Sequence, residues 1–100
     1  MKSIIQTNHD YCFLCNLLEG DGSRRNGLEE HHVIYGRANK QLSEKYGLKI
    51  YICHQHHTEG PKAVHNNKEI RRMTEAIAQK KFNEVFTEED FTKIFGKNYL

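Results

Sequence analysis

Leu48-Lys49-Ile50-Tyr51-Ile52-Cys53-His54-Gln55-His56-His57 is the stretch on which the fold turns. Leu48, Ile50 and Ile52 alternate with Lys49 and Tyr51, the period of a strand with one apolar face. Cys53 follows directly, so a short helix is expected to begin there or just after, until Gly60-Pro61 interrupts it. A thiol and nearby imidazoles at a strand-to-helix junction are metal-ligand chemistry. A second pair, Cys12-x-x-Cys15, lies upstream on what reads as a knuckle. Cys12, Cys15, Cys53 and His56 together supply the four ligands of a closed, structural zinc site. His54 and His57 compete for the fourth place, and the Cys-x-x-His spacing favours His56.

Two ligands from a knuckle and two from a strand-to-helix junction describe a treble-clef-like zinc site. Around it, residues 1–27 read as the knuckle and a turn-rich, mobile loop through Gly20-Asp21-Gly22-Ser23-Arg24-Arg25-Asn26-Gly27. Leu28 to Ile34 reads as a short strand with β-branched residues at its end. Residues 35–46 are expected to be a connecting loop with at most a helical turn around Leu42 to Lys45. Asn67 is placed to cap a helix over about Lys68 to Phe86, its apolar face made of Ile70, Met73, Ile77, Phe82, Val85 and Phe86. Thr87-x-x-Asp90 is read as the cap pairing of a last helix with Phe91, Ile94 and Phe95 inward and Gly96 as its stop. The expectation is a single α+β domain: a zinc-supported core over 28–65, then C-terminal helices over 66–100.

One hundred residues form one small domain, and a domain of this size often needs a staple. Three cysteines leave one over from any disulfide, which points to metal and to a reducing compartment. The first dozen residues have no long apolar run of the kind a secretory leader carries, and no stretch is long enough to span a membrane. A cytoplasmic protein is expected. The net charge is only +2, but its distribution is uneven. Residues 37–81 hold ten Lys or Arg against four Glu, while both flanks are slightly acidic. A basic middle that coincides with the histidines fits a phosphate-rich ligand.

The zinc set leaves His31, His32 and His57 unused. Phosphodiester hydrolysis needs a Lewis acid on the phosphate and an activated water, and imidazole serves both as ligand and as base. Cys12-x-x-Cys15, Glu30-His31-His32-Val33-Ile34 and Cys53-His54-Gln55-His56-His57 resemble the HNH endonucleases of the His-Me finger (ββα-metal) superfamily over roughly residues 12–65. The resemblance implies a ββα-metal core in which His31 and His57 hold one catalytic divalent ion and His32 is the general base. It implies Mg²⁺ as that ion, with Mn²⁺, Ni²⁺ or Zn²⁺ as substitutes, and a 5′-phosphate and a 3′-hydroxyl as products. Residues 39–48 and 95–100 also look like small phage-encoded HNH-type proteins, which implies a partner in phage or host recombination or replication.

The family's middle Asn usually lies just ahead of the second strand, where this chain has Leu48. Asn39, the nearest, is either a clamp on the loop by side-chain to backbone hydrogen bonds or an ordinary turn residue. His65 is either a third ligand, a contact to the phosphate, or an exposed residue. His54 and His9 are read as surface or supporting groups. Arg37, Lys40, Lys62, Arg71 and Arg72 are candidates for contacts to the backbone of DNA, whether duplex, single-stranded or branched. Two other function classes remain beside the nuclease: a non-catalytic zinc-finger DNA-binding module, and an adaptor in phage replication that uses the aromatic C-terminal helices.

Overall fold

A computed structural model describes all 100 residues. The elements run α1 (Phe13–Glu19), β1 (Glu29–His32), α2 (Arg37–Tyr46), β2 (Lys49–Ile52), a π-helical turn (Gln55–Glu59), α3 (Lys68–Val85) and α4 (Phe91–Phe95). β1 and β2 form a two-stranded antiparallel sheet in which Glu29 faces Ile52 and His31 faces Ile50. The fold is therefore α+β. No helix is long and apolar enough to cross a membrane.

The knuckle is helical from its first cysteine. Cys12 is the N-cap of α1, and its sulfur accepts the Cys15 N–H at 3.4 Å. Gly20 ends the helix with φ of 69°. The glycine-rich loop that follows is tied back: Arg24 bridges to Tyr11, and the Arg25 N–H donates to the Asp10 carbonyl at 2.7 Å.

The expected connecting loop is mostly helix. α2 takes up ten residues, and the reason lies at its ends and on one narrow face. Ser43 and Tyr46 are buried, and Gly47 closes the helix in the left-handed region at φ 72°. Val33 continues the sheet pairing one step, with its N–H on the Leu48 carbonyl, and Ile34 then donates to Ser43 Oγ as the chain turns into α2.

β2 departs from simple alternation. Lys49 is buried rather than solvated, because Glu44 and Glu30 receive its ammonium. The outer edge of β2 is covered by the N-terminal segment. Ser3 Oγ donates to the Lys49 carbonyl, and Gln6 Oε1 accepts the Tyr51 N–H. The edge therefore offers few free ladder groups to another strand.

That close approach depends on Gly47. A Cβ there would collide with the Lys2 carbonyl oxygen and press on Ile4 N at 3.2 Å. Gly47→Ala is expected to lower stability by about 2 kcal/mol or more, since the left-handed backbone alone costs about 1–2 kcal/mol in a non-glycine residue. Urea denaturation reads this directly, and an unchanged midpoint would refute it.

In α3, Asn67 Oδ1 caps the first turn by accepting the Ile70 N–H at 3.1 Å. The deepest face is rotated from the expected one. Thr74, Glu75, Ala78, Gln79 and Phe82 are buried, Ile70, Met73 and Ile77 are half-buried, and Val85 is exposed. The C-terminal tail causes the rotation: Gln79 donates to Asn98 Oδ1 at 2.9 Å and accepts the Tyr99 N–H at 2.6 Å. Phe82 sits among Tyr46, Phe86, Phe91 and Phe95, with ring centroids 5.0–6.1 Å away. These rings join α2, α3 and α4 into one apolar cluster with Leu48, Ile50 and Ile52. The cap of α4 is Asp90, not Thr87. Its carboxylate accepts the Lys93 N–H, which starts the helix three residues later than the Thr87 pairing implied.

Candidate functional site

Cys12, Cys15, Cys53 and His56 converge at the junction of α1, β2 and the π turn, with one ligand atom from each within 4.8 Å of the others. His56 Nδ1 lies 3.7, 3.4 and 3.3 Å from the sulfurs of Cys12, Cys15 and Cys53. The Cys15 and Cys53 sulfurs are 3.9 Å apart, too far for a disulfide of about 2.05 Å. A tetrahedral zinc with sulfur at about 2.3 Å and nitrogen at about 2.0 Å would set its ligands roughly 3.5–3.8 Å apart. The set is thus consistent with a structural zinc site. Burial, followed by the Cys12 and Cys53 thiols beside it, pushes the Cys15 thiol up to about 12. A thiol so placed keeps its proton unless a cation replaces it. Cys12 Sγ also accepts the Cys53 N–H at 3.3 Å, so one sulfur already ties α1 to the end of β2.

A second cluster is made of imidazoles alone. His31, His57 and His65 bring one ring nitrogen each within 4.8 Å of the others, with ring centroids 4.8–5.3 Å apart. Strand alternation points His31 inward from β1. The π turn supplies His57. Adjacent residues on a helical turn point in different directions, so His56 enters the cysteine cluster while His57 enters the imidazole cluster. The loop before α3 brings in His65.

The outer nitrogens are engaged. Glu29 Oε1 lies 2.8 Å from His57 Nδ1, and the Tyr35 hydroxyl lies 2.6 Å from His65 Nδ1. Both contacts leave Nε2 for a ligand, the arrangement that orients metal-binding histidines. Burial, then the neighbouring His57, His65 and His32, hold His31 down to about 3. His31 is therefore neutral near pH 7, as a ligand must be. Its Nε2 is the one buried side-chain polar atom without a hydrogen-bond partner.

His32 takes the other side of β1. Its Nε2 is 2.9 Å from Glu44 Oε1 and 3.5 Å from Glu30 Oε1. Glu44 also receives Lys49 Nζ at 3.0 Å and the Met1 ammonium at 3.0 Å. Hydrogen bonds from His32, Lys49 and that ammonium bring the Glu44 carboxyl down to about 2. Despite the alternation, His31 and His32 both line one open cleft of about 490 Å³, with His57, His65, Arg37 and Lys40.

Asn39 donates from Nδ2 to the Tyr35 carbonyl at 2.8 Å, a clamp across the turn into α2. Arg71 lies over the Tyr35 ring at 4.8 Å, beside the cleft. Lys62 sits elsewhere, at the mouth of the cysteine cluster, and Arg72 is exposed on α3. His54 is exposed and meets Glu29 and Glu59, and His9 stacks on Tyr51. Sequence reasoning missed Glu29, Tyr35 and Glu44. Glu29 and Tyr35 flank the His-His motif closely enough to have been considered. Glu44 gives no local signal, because only the unforeseen α2 carries it to His32. Comparison with protein-family profiles, curated proteins and solved structures finds no match to this chain.

Proposed function

We propose that this chain is a divalent-metal-dependent DNA endonuclease of the HNH kind. The observation that carries the reading is the convergence of the buried His31 with His57, held by Glu29, and His65, held by the Tyr35 hydroxyl, in an open cleft beside a fourth imidazole, His32. The orphaned His31 Nε2 fits a bound cation. An ion held by the three rings would supply Lewis acidity to a phosphate oxygen and to the leaving oxygen. Three imidazoles suit borderline ions such as Ni²⁺ or Zn²⁺, whereas Mg²⁺ would need water and phosphate oxygens to complete its shell.

His32 is the proton acceptor in this reading. With Nε2–H donated to Glu44, the ring keeps its lone pair on Nδ1. A water proton moves to that nitrogen as the water oxygen attacks phosphorus, the P–O3′ bond breaks, and the departing 3′ oxygen takes a proton from solvent. The imidazolium so formed is stabilised by Glu44 and Glu30. Arg37, Lys40 and Arg71 hold the nucleic-acid backbone without reading its sequence. The Cys₃His cluster is the scaffold that presents the π turn.

The test is nicking of supercoiled plasmid by zinc-loaded protein in Mg²⁺, Mn²⁺ or Ni²⁺, with His65→Ala alongside. His65 is exposed, so its removal should spare the fold. The wild type should nick, and the variant should lose about two orders of magnitude, the scale of one lost electrophilic support. Equal nicking by both proteins would sink the assignment. DNA binding without cleavage in every ion would favour a non-catalytic zinc module instead.

A further inference from the structure

Of the ten Phe and Tyr side chains, nine are buried or half-buried, and Tyr35 alone is exposed, at 44%. It stands on the wall of the cleft that holds the imidazole cluster. A single exposed ring that swings freely is ordinary surface. Tyr35 is instead held at three points. Its hydroxyl lies 2.6 Å from His65 Nδ1, its carbonyl accepts the Asn39 amide at 2.8 Å, and the Arg71 guanidinium lies over its ring at 4.8 Å. Arg71 is tethered in turn, with Nη1 donating to the Val64 carbonyl at 3.4 Å.

These contacts divide the ring. The hydroxyl edge belongs to His65, whose own ring is inclined at 61° and centred 5.6 Å away, and one face belongs to Arg71. The opposite face is the apolar surface left for a ligand, and it is fixed before any ligand arrives. Little ordering entropy then opposes the stacking of a flat group on it. Arg37 and Lys40 line the same cleft, so the flat group that suits it carries negative charge alongside. A nucleobase on its phosphate chain has both properties, and a fixed aromatic face beside cations is how single strands are held. In a continuous duplex each base face is covered by its neighbours, so only an unpaired base has a face to give.

We propose that Tyr35 is a stacking platform for an unpaired base, and that it biases the cleft toward single-stranded or locally unpaired DNA. The choice of DNA as the ligand rests on the hydrolase reading. Because the ring adjoins His65, the stacked base belongs to a nucleotide that borders the reacting phosphate. Arg71 behind the ring adds a cation to the stack.

The experiment measures binding by fluorescence anisotropy, with zinc-loaded protein and no added Mg²⁺ or Mn²⁺. The probes are oligothymidylate, an abasic strand of the same length and charge, and a duplex. The wild type should bind oligothymidylate about tenfold or more tighter than the abasic strand, the scale of one stacked base. Tyr35→Leu should remove that preference and leave affinity for the abasic strand and the duplex unchanged. Its salt dependence should also stay, since no phosphate contact is lost. Tyr35→Phe should keep the preference. Phe loses the hydroxyl as fully as Leu does, so the pair separates stacking from the support of His65. In the wild type, iodouracil placed in the strand should photocrosslink to Tyr35, read by mass spectrometry. Equal affinity of the wild type for oligothymidylate and the abasic strand, equal losses in both variants, or a crosslink that bypasses Tyr35 would overturn the platform. Cleavage is not read: nicking without the stacking preference sinks this inference alone, and the preference without nicking sinks the hydrolase reading alone.

Discussion

Cys12→Ser is expected to abolish stoichiometric zinc binding and to leave most of the chain unfolded near room temperature. Cys12 is fully buried, and its sulfur accepts N–H groups from both Cys15 and Cys53. It therefore joins α1 to β2 as well as closing the ligand set. Structural zinc is worth about 10–16 kcal/mol in small zinc-folded peptides. Net domain stability is about 5–15 kcal/mol, so losing the ion removes an amount comparable to the whole. Zinc content by atomic emission and a circular-dichroism melt are the measurements. EDTA on the wild type should reproduce the effect. A zinc-free wild type, or a variant that melts at the wild-type temperature, would refute the role given to the cluster.

On the hydrolase reading proposed above, His32→Ala is expected to slow single-turnover cleavage by about 10²–10⁴-fold, the usual contribution of a positioned general base. The loss should come without loss of fold or of metal at the imidazole cluster. His32 and His31 leave β1 on opposite sides, and Glu44 keeps Lys49 and the Met1 ammonium when His32 is gone. Added imidazole should restore part of the rate, which a purely structural defect would not allow. Wild-type rates in the variant would remove His32 from the chemistry. A parallel loss of metal affinity would make it a structural residue instead.

The sheet and the Cys₃His cluster were legible because their signals are local. A strand of period two ends in a cysteine, and two pairs share x-x spacing. α3 was legible at its start, where Asn67 precedes a long run of helix formers. Its buried face was not, because the tail residues Asn98 and Tyr99 decide which side is covered. α2 was hidden for a different reason. Arg37-Ala38-Asn39-Lys40-Gln41-Leu42-Ser43-Glu44-Lys45-Tyr46 sets Ala38, Leu42 and Tyr46 at helical spacing, but the stretch is mostly polar and buries only Ser43 and Tyr46. Its helix formers and the Gly47 stop were the available cues. Missing α2 meant missing Glu44, the carboxylate that holds His32. The positions of His31 and His57 rested on resemblance. His65 could be placed beside them only by the three-dimensional path of the loop after Gly60-Pro61.

The π turn has a consequence for how this chain tolerates change. His56 and His57 are neighbours in sequence, yet each serves a different cluster. A substitution at either position subtracts one ligand from one cluster. A single deletion between Cys53 and His56 would do something else: it would turn His57 toward the thiols and Thr58 toward the cleft, whereas a single insertion there would turn His56 toward the cleft and leave the thiols without an imidazole. The segment works as a reading frame in three dimensions, in which a change of length decides which of the two clusters keeps its imidazole.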